Sequence, residues 1–96
     1  MSAYFIAQIT IHDHEEYKRY LDVADAILAR HTGEVVVVDD SPTILEGNWP
    51  CTRTVVMRFR NEDDARRWYE SPEYQDLVRY RHQASEANIV LVQGRD

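Results

Sequence analysis

The chain has 96 residues, a formal net charge of −6, an aromatic content of 10% and one cysteine. At this length it reads as one domain over residues 1–96 with a modest core, since small domains bury a smaller share of their unfolded surface. The acidic balance argues against nucleic acid, whose phosphates are met by clustered Lys and Arg. A lone Cys51 excludes an internal disulfide and points to a reducing cytoplasm. The start, MSAYFIAQITIH, lacks the basic and long apolar regions of a signal peptide, and no apolar run has transmembrane length, so no membrane partner is expected.

Along the chain, Phe5, Ala7, Ile9 and Ile11 alternate with Tyr4, Ile6, Gln8 and Thr10, the pattern of a strand. His12-Asp13-His14 has a superficial likeness to a metal motif, but it reads as a turn into a helix and no metal site is assigned to it. Asp13 with Glu16 three residues on resembles a capping box. Tyr17, Tyr20, Leu21, Ala24, Ile27 and Leu28 then recur at helical spacing. That helix is expected to end near His31, with Gly33 as a left-handed cap. Val35 to Val38 is a β-branched run, Asp40-Ser41-Pro42 a turn, and Ile44-Leu45-Glu46 a short extended piece. After Asn48-Trp49-Pro50, residues Arg53 to Phe59 alternate again.

Asn61 can cap a second helix whose first turn, Glu62, Asp63 and Asp64, favours the helix dipole. Ser71-Pro72 begins a third, with Ser71 as N-cap and Pro72 where a missing amide hydrogen costs nothing. Tyr74, Leu77, Val78 and Arg81 share one face of it. Ile89 to Val92 is a last strand, closing at Gly94. The order predicts an α+β fold, a ferredoxin-like split βαβ sandwich with a four-stranded antiparallel sheet and its helices on one face. Val35 to Val38 and Ile89 to Val92 are apolar at every position, and Ile6 and Val56 add apolar groups to otherwise polar sides. A sheet apolar on both faces needs cover on both, so a homodimer packed through the open sheet face is expected.

Several stretches together carry a resemblance that spans Tyr4 to Gly94. They are Leu45-Glu46-Gly47 followed by Trp49, Arg53 leading into the strand that ends at Phe59, and Ala65 with Trp68-Tyr69. Ser71-Pro72-Glu73-Tyr74-Gln75 and Arg81 complete them. With these the chain resembles the dimeric α/β-barrel superfamily of ferredoxin-like proteins and, within it, the domain-of-unknown-function family thirteen-thirty. Two positions depart from that pattern: Thr32-Gly33 stands for Gly-Gly, and Phe59-Arg60 for Phe-Pro. The superfamily includes cofactor-free monooxygenases, lactone isomerases and haem-binding enzymes that use the cleft between sheet and helices. Fold alone does not choose among them.

Trp68, Tyr69 and Tyr74 flank the break at Ser71-Pro72, where they either pack the core or wall a cleft. Arg79, Arg81 and His82 form a small basic cluster, read as a solvated helix face or an anion-holding group. Arg81, on an apolar face, wants a carboxylate: Glu46 by an internal bridge, or a ligand anion. Arg53 is a second cation the fold could bring near a ligand. Glu46 and His31 are the candidates to handle protons. The expected function is a cleft for a small organic ligand, aromatic or anionic, with cofactor-free isomerase or monooxygenase chemistry. The alternative is a non-enzymatic module whose cleft is filled by its own side chains.

Overall fold

In the computed structural model, which describes all of residues 1–96, the elements run β1 (Ala3–Ile11), α1 (His14–Ala29), β2 (Glu34–Asp39), β3 (Arg53–Phe59), α2 (Glu62–Glu70), α3 (Pro72–Ala84) and β4 (Ser85–Gln93). The strands form one sheet in the order β2-β3-β1-β4, with every neighbouring pair antiparallel. This is the ferredoxin-like split βαβ arrangement, and the helices cover one face. No helix is long and apolar enough to cross a membrane.

Local signals place the helix starts. The Asp13 carboxylate accepts from the Glu16 amide at 3.1 Å, Asn61 Oδ1 from the Asp64 amide at 2.8 Å, and Ser71 Oγ from the Tyr74 amide at 3.2 Å. Each satisfies an amide that the first helical turn leaves free. Pro72 holds the first position of α3, and Ser71 is both the end of α2 and the start of α3. One residue therefore sets the angle between two helices.

The strand alternation also holds. Ala3, Phe5, Ala7, Ile9 and Ile11 are buried toward the helices, where Met57, Phe59, Trp68, Tyr74 and Val78 complete the core. Register carries the other side of each strand outward together. Ile6 pairs with Val56 and with Val90, and Val56 pairs with Val37, so these side chains share the bare face. Val37, Val90 and Val92 are exposed there. The molecule is a slab of 32 × 30 × 16 Å, one layer of helices on one sheet.

Two expectations are corrected. Residues Ile44-Leu45-Glu46 form no strand but part of the long β2–β3 connection. The left-handed residue after α1 is Thr32, at φ 62°, while Gly33 has no positive φ. For a β-branched residue that conformation is strained. Thr32 is held in it by a bond from its Oγ1 to Asp64 Oδ2 at 2.9 Å, which ties the end of α1 to α2. Gly33 is required by space instead: a Cβ would lie 2.3 Å from Leu28 Cδ1 and 2.7 Å from Phe59 Cε1. Phe59 is fully buried and cannot readily yield. Gly33→Ala should therefore destabilise the fold by about 1–3 kcal/mol through overpacking, measured as a lower urea midpoint with an unchanged slope.

Candidate functional site

Helix α1 runs close to α3 and stands off from the strands, which leaves a space between its inner face and the sheet. This cleft has a volume of about 270 Å³. Phe5, Ile9, Val55 and Met57 of the sheet form its floor, and Tyr17, Tyr20, Ala24 and Leu28 of α1 its roof. Val35 and Val38 of the edge strand β2 line the rim, and Trp68, Arg53 and Arg81 supply the polar groups, with Asp25 the lone carboxylate in the lining.

Arg81 dominates the electrostatics. It is only 4% exposed and no carboxylate lies within salt-bridge distance of it, although nine ion pairs form elsewhere in the chain. Its guanidinium carbon stands 5.9 Å from the centre of the Tyr20 ring, and its Nε has no hydrogen-bond partner. The remaining compensation carries no full charge: the Tyr74 hydroxyl beside the guanidinium, a π face, and the partial negative charge of the α3 C-terminus three residues on. Burial disfavours the Arg81 cation, but Tyr74 and Tyr20 beside it outweigh that, and its pKa stands above the usual arginine value. It stays charged.

Those tyrosines bring no negative charge at neutral pH. Tyr20 and Tyr74 share a hydrogen bond of 2.7 Å between hydroxyls. Burial lifts the Tyr20 pKa well above the ordinary tyrosine value, assisted by Tyr74. Burial also raises Tyr74 and Tyr17, against the pull of Arg81 in both cases and of Arg53 at Tyr17. All three therefore hold their protons, and the charge on Arg81 is not neutralised by the protein around it.

Of the residues singled out by sequence, Arg81, Trp68 and Arg53 meet at the cleft. Arg53 donates to both carboxylate oxygens of Asp40, at 2.7 and 3.1 Å, and lies over the Tyr17 ring at 5.6 Å. Tyr74 is fully buried behind the lining, with its ring centre 4.2 Å from that of Trp68. Tyr69 packs on both and lines a separate hollow beside β4. The basic cluster is split: Arg79 is exposed and pairs with Asp76 at 2.8 Å, while Arg81 is buried.

Glu46 and His31 are not brought to the cleft. Glu46 is exposed on the β2–β3 connection and lines a different groove, with Trp49 and Thr54. The internal Arg81–Glu46 bridge is accordingly absent, because Glu46 lies in a groove to which α3 contributes no residue. His31 lies 3.5 Å from Glu73, a carboxylate it shares with Arg30. Sequence reading missed Tyr17 and Tyr20 as site residues, since tyrosines at helical spacing read as core. The available signal was hydroxyl number: three tyrosines on inward faces need partners inside.

A group whose folded pKa is raised adds stability that is complete below its unfolded pKa and is lost as pH climbs toward the folded value. For Tyr17, Tyr20 and Tyr74 the loss should begin near the ordinary tyrosine pKa of about 10. Urea midpoints should thus fall above that pH, and less steeply in Tyr20→Phe, which removes the most strongly shifted hydroxyl. Equal alkaline slopes in the two proteins would contradict the buried dyad.

No curated protein sequence matches the chain. Solved structures do. A protein of unknown function from Rhodopseudomonas palustris has 14% identity and a TM-score of 0.81, over 99% of this chain and 83% of that one. SnoaB, a cofactor-independent oxygenase from Streptomyces nogalater, has 20% identity and a TM-score of 0.69, over 99% and 94%. A dimeric ferredoxin-like protein of unknown function from Jannaschia sp. CCS1 has 9% identity and a TM-score of 0.76, over 98% and 100%. Identities this low bear on the fold alone. The profile of the family described as "Domain of unknown function (DUF1330)" matches residues 2–95, and the chain belongs to that family.

Proposed function

We propose that this chain forms a homodimer through the open sheet face and that each subunit binds a small aromatic molecule bearing an anionic oxygen. The observation that carries the ligand reading is Arg81, a buried cation with no counter-ion beside a cleft otherwise walled by apolar groups. Leaving such a charge uncompensated is costly, and a ligand carboxylate or phenolate supplies what the protein does not. Trp68 and the tyrosines of α1 offer flat surfaces to an aromatic ring. Arg53, engaged with Asp40, stands at the same cleft as a second cation. A module filled by its own side chains is disfavoured by the hollow under α1.

The chemistry such a cation serves is the steadying of an enolate or phenolate oxygen during proton transfer, isomerisation or cofactor-free oxygenation. The same fold is found in a cofactor-independent oxygenase, so the fold is able to house such chemistry. With a single cysteine the chain suits a reducing compartment such as the cytoplasm.

Dimerisation is supported by the apolar bare face and by its size. A face of 32 × 30 Å is comparable with the roughly 800 Å² that each partner buries in a stable interface. Two slabs closed about a two-fold axis would cover each other's valines, and dimeric ferredoxin-like neighbours have the same fold.

Two measurements test these readings. Calorimetric titration with 2-naphthoate and with its neutral methyl ester should show the acid losing at least about tenfold in affinity in Arg81→Met, with the ester unaffected. Unchanged binding of the acid, or binding of neither compound to the wild type, would refute the ligand reading. By light scattering, Val90→Asp should shift the protein to monomer while leaving its circular dichroism intact, because Val90 is 53% exposed in the subunit. A persistent dimer would reject this face.

A further inference from the structure

The connection from β2 to β3 is longer than two neighbouring antiparallel strands need. It takes residues 40–52, where a hairpin uses about two to five. Its base is fixed. Arg53 grips Asp40 at one end, and at the other the Thr52 amide donates to the Ile9 carbonyl at 2.9 Å while Thr52 Oγ1 accepts from the Ile11 amide at 2.9 Å. Within the connection, Trp49 Nε1 donates to Thr54 Oγ1 at 2.8 Å, and Gly47 turns the chain at φ 76°.

So well anchored a segment would be expected to turn its apolar groups inward. It does the reverse. Leu45 is 89% exposed, Ile44 54% and Trp49 39%, and none of them belongs to the core. Their side of the molecule is known from register: Thr54 pairs with Gln8, so its side chain is on the bare face, and the ring bonded to it lies on that side. Pro42, Ile44, Leu45, Trp49 and Thr54 line a groove of about 420 Å³ there. The exposed tip and the exposed sheet valines lie on the same side of the molecule, with the polar row of Thr54, Gln8 and Asn88 between them.

We propose that residues 40–52 are an arm that clasps a second copy of this chain, with Ile44, Leu45 and Trp49 buried against the partner. The inference rests on the face-to-face dimer proposed above and adds a contact the sheets alone do not make. A second copy is the occupant because the arm lies on the side of the bare sheet face proposed for the dimer, and similar structures with this fold are dimeric. Under a two-fold axis each subunit then gives one arm and receives another. The apolar area per subunit grows accordingly beyond that of the sheet, with no charge but that of Glu46 at the tip.

The chain has two tryptophans, and Trp68 is 1% exposed in the free subunit, so a change in acrylamide quenching on association reports Trp49. Wild-type protein should show one quenchable tryptophan when diluted to monomer and none as dimer. Leu45→Asp, at a site outside the subunit core, should keep its circular dichroism and raise the dimer dissociation constant by more than about tenfold in sedimentation equilibrium. Val23→Asp, on exposed α1, serves as the control and should change neither. An unaltered dissociation constant in Leu45→Asp, or a Trp49 still quenched in the dimer, would overturn the arm. If Val90→Asp nonetheless yields monomer, the face-to-face dimer stands and only the arm falls; if the wild type is monomeric at every concentration, both fall.

Discussion

A buried guanidinium without a counter-ion is the constraint around which the helical layer is arranged. Arg81 is carried inward because it shares the α3 face of Tyr74, Leu77 and Val78, which the core cannot release. Nothing packed around it provides a carboxylate. The protein instead surrounds it with protonated tyrosines, an aromatic face and the end of its own helix. These moderate the cost of burying a charge without cancelling it. The open space under α1 lies beside the one group that stands to gain most from a bound anion.

The angle at which Arg81 enters follows from the Ser71-Pro72 junction. Ser71 Oγ donates to the Trp68 carbonyl at 2.8 Å and accepts from the Tyr74 amide, closing α2 and opening α3 in one residue. Trp68 and Tyr74 are thereby folded onto each other, and Trp68 also meets Phe5 and Phe59 edge-on or tilted, each with ring centres 5.3 Å apart. The aromatic cluster is thus both core and wall. Those two readings of the same stretch, alternatives in the sequence, coexist because Trp68 packs on Phe5 and Phe59 and also belongs to the lining of the cleft.

What the sequence made legible was what neighbours in the chain decide. Asp13, Asn61 and Ser71 could be placed as caps because a cap is a bond to an amide three residues away. The two-sided apolar strands could be read from alternation and its failure at Val35 to Val38. What it hid depended on distant contacts. Gly33 reads as a conformational glycine, yet its requirement comes from Phe59 and Leu28 pressing on the backbone, while Thr32 carries the strained φ because Asp64 of another helix can hold it. Likewise whether Glu46 reaches Arg81 depended on the path of a thirteen-residue connection, which no local pattern encodes.

The cleft and the bare face lie on opposite sides of one sheet, and Arg53 joins them. Its backbone begins β3, its guanidinium lines the cleft above Tyr17, and its bidentate grip on Asp40 fixes the base of the connection that displays Leu45 and Trp49. An anion entering the cleft would compete with Asp40 for this cation, and a second subunit holding the connection in place would favour the grip. By linkage, whatever free energy one event takes from the other must be returned in kind. The proposed assembly and the proposed ligand would therefore bear on the same ion pair, at a residue whose side chain is about one-fifth exposed and so is neither freely solvated nor sealed.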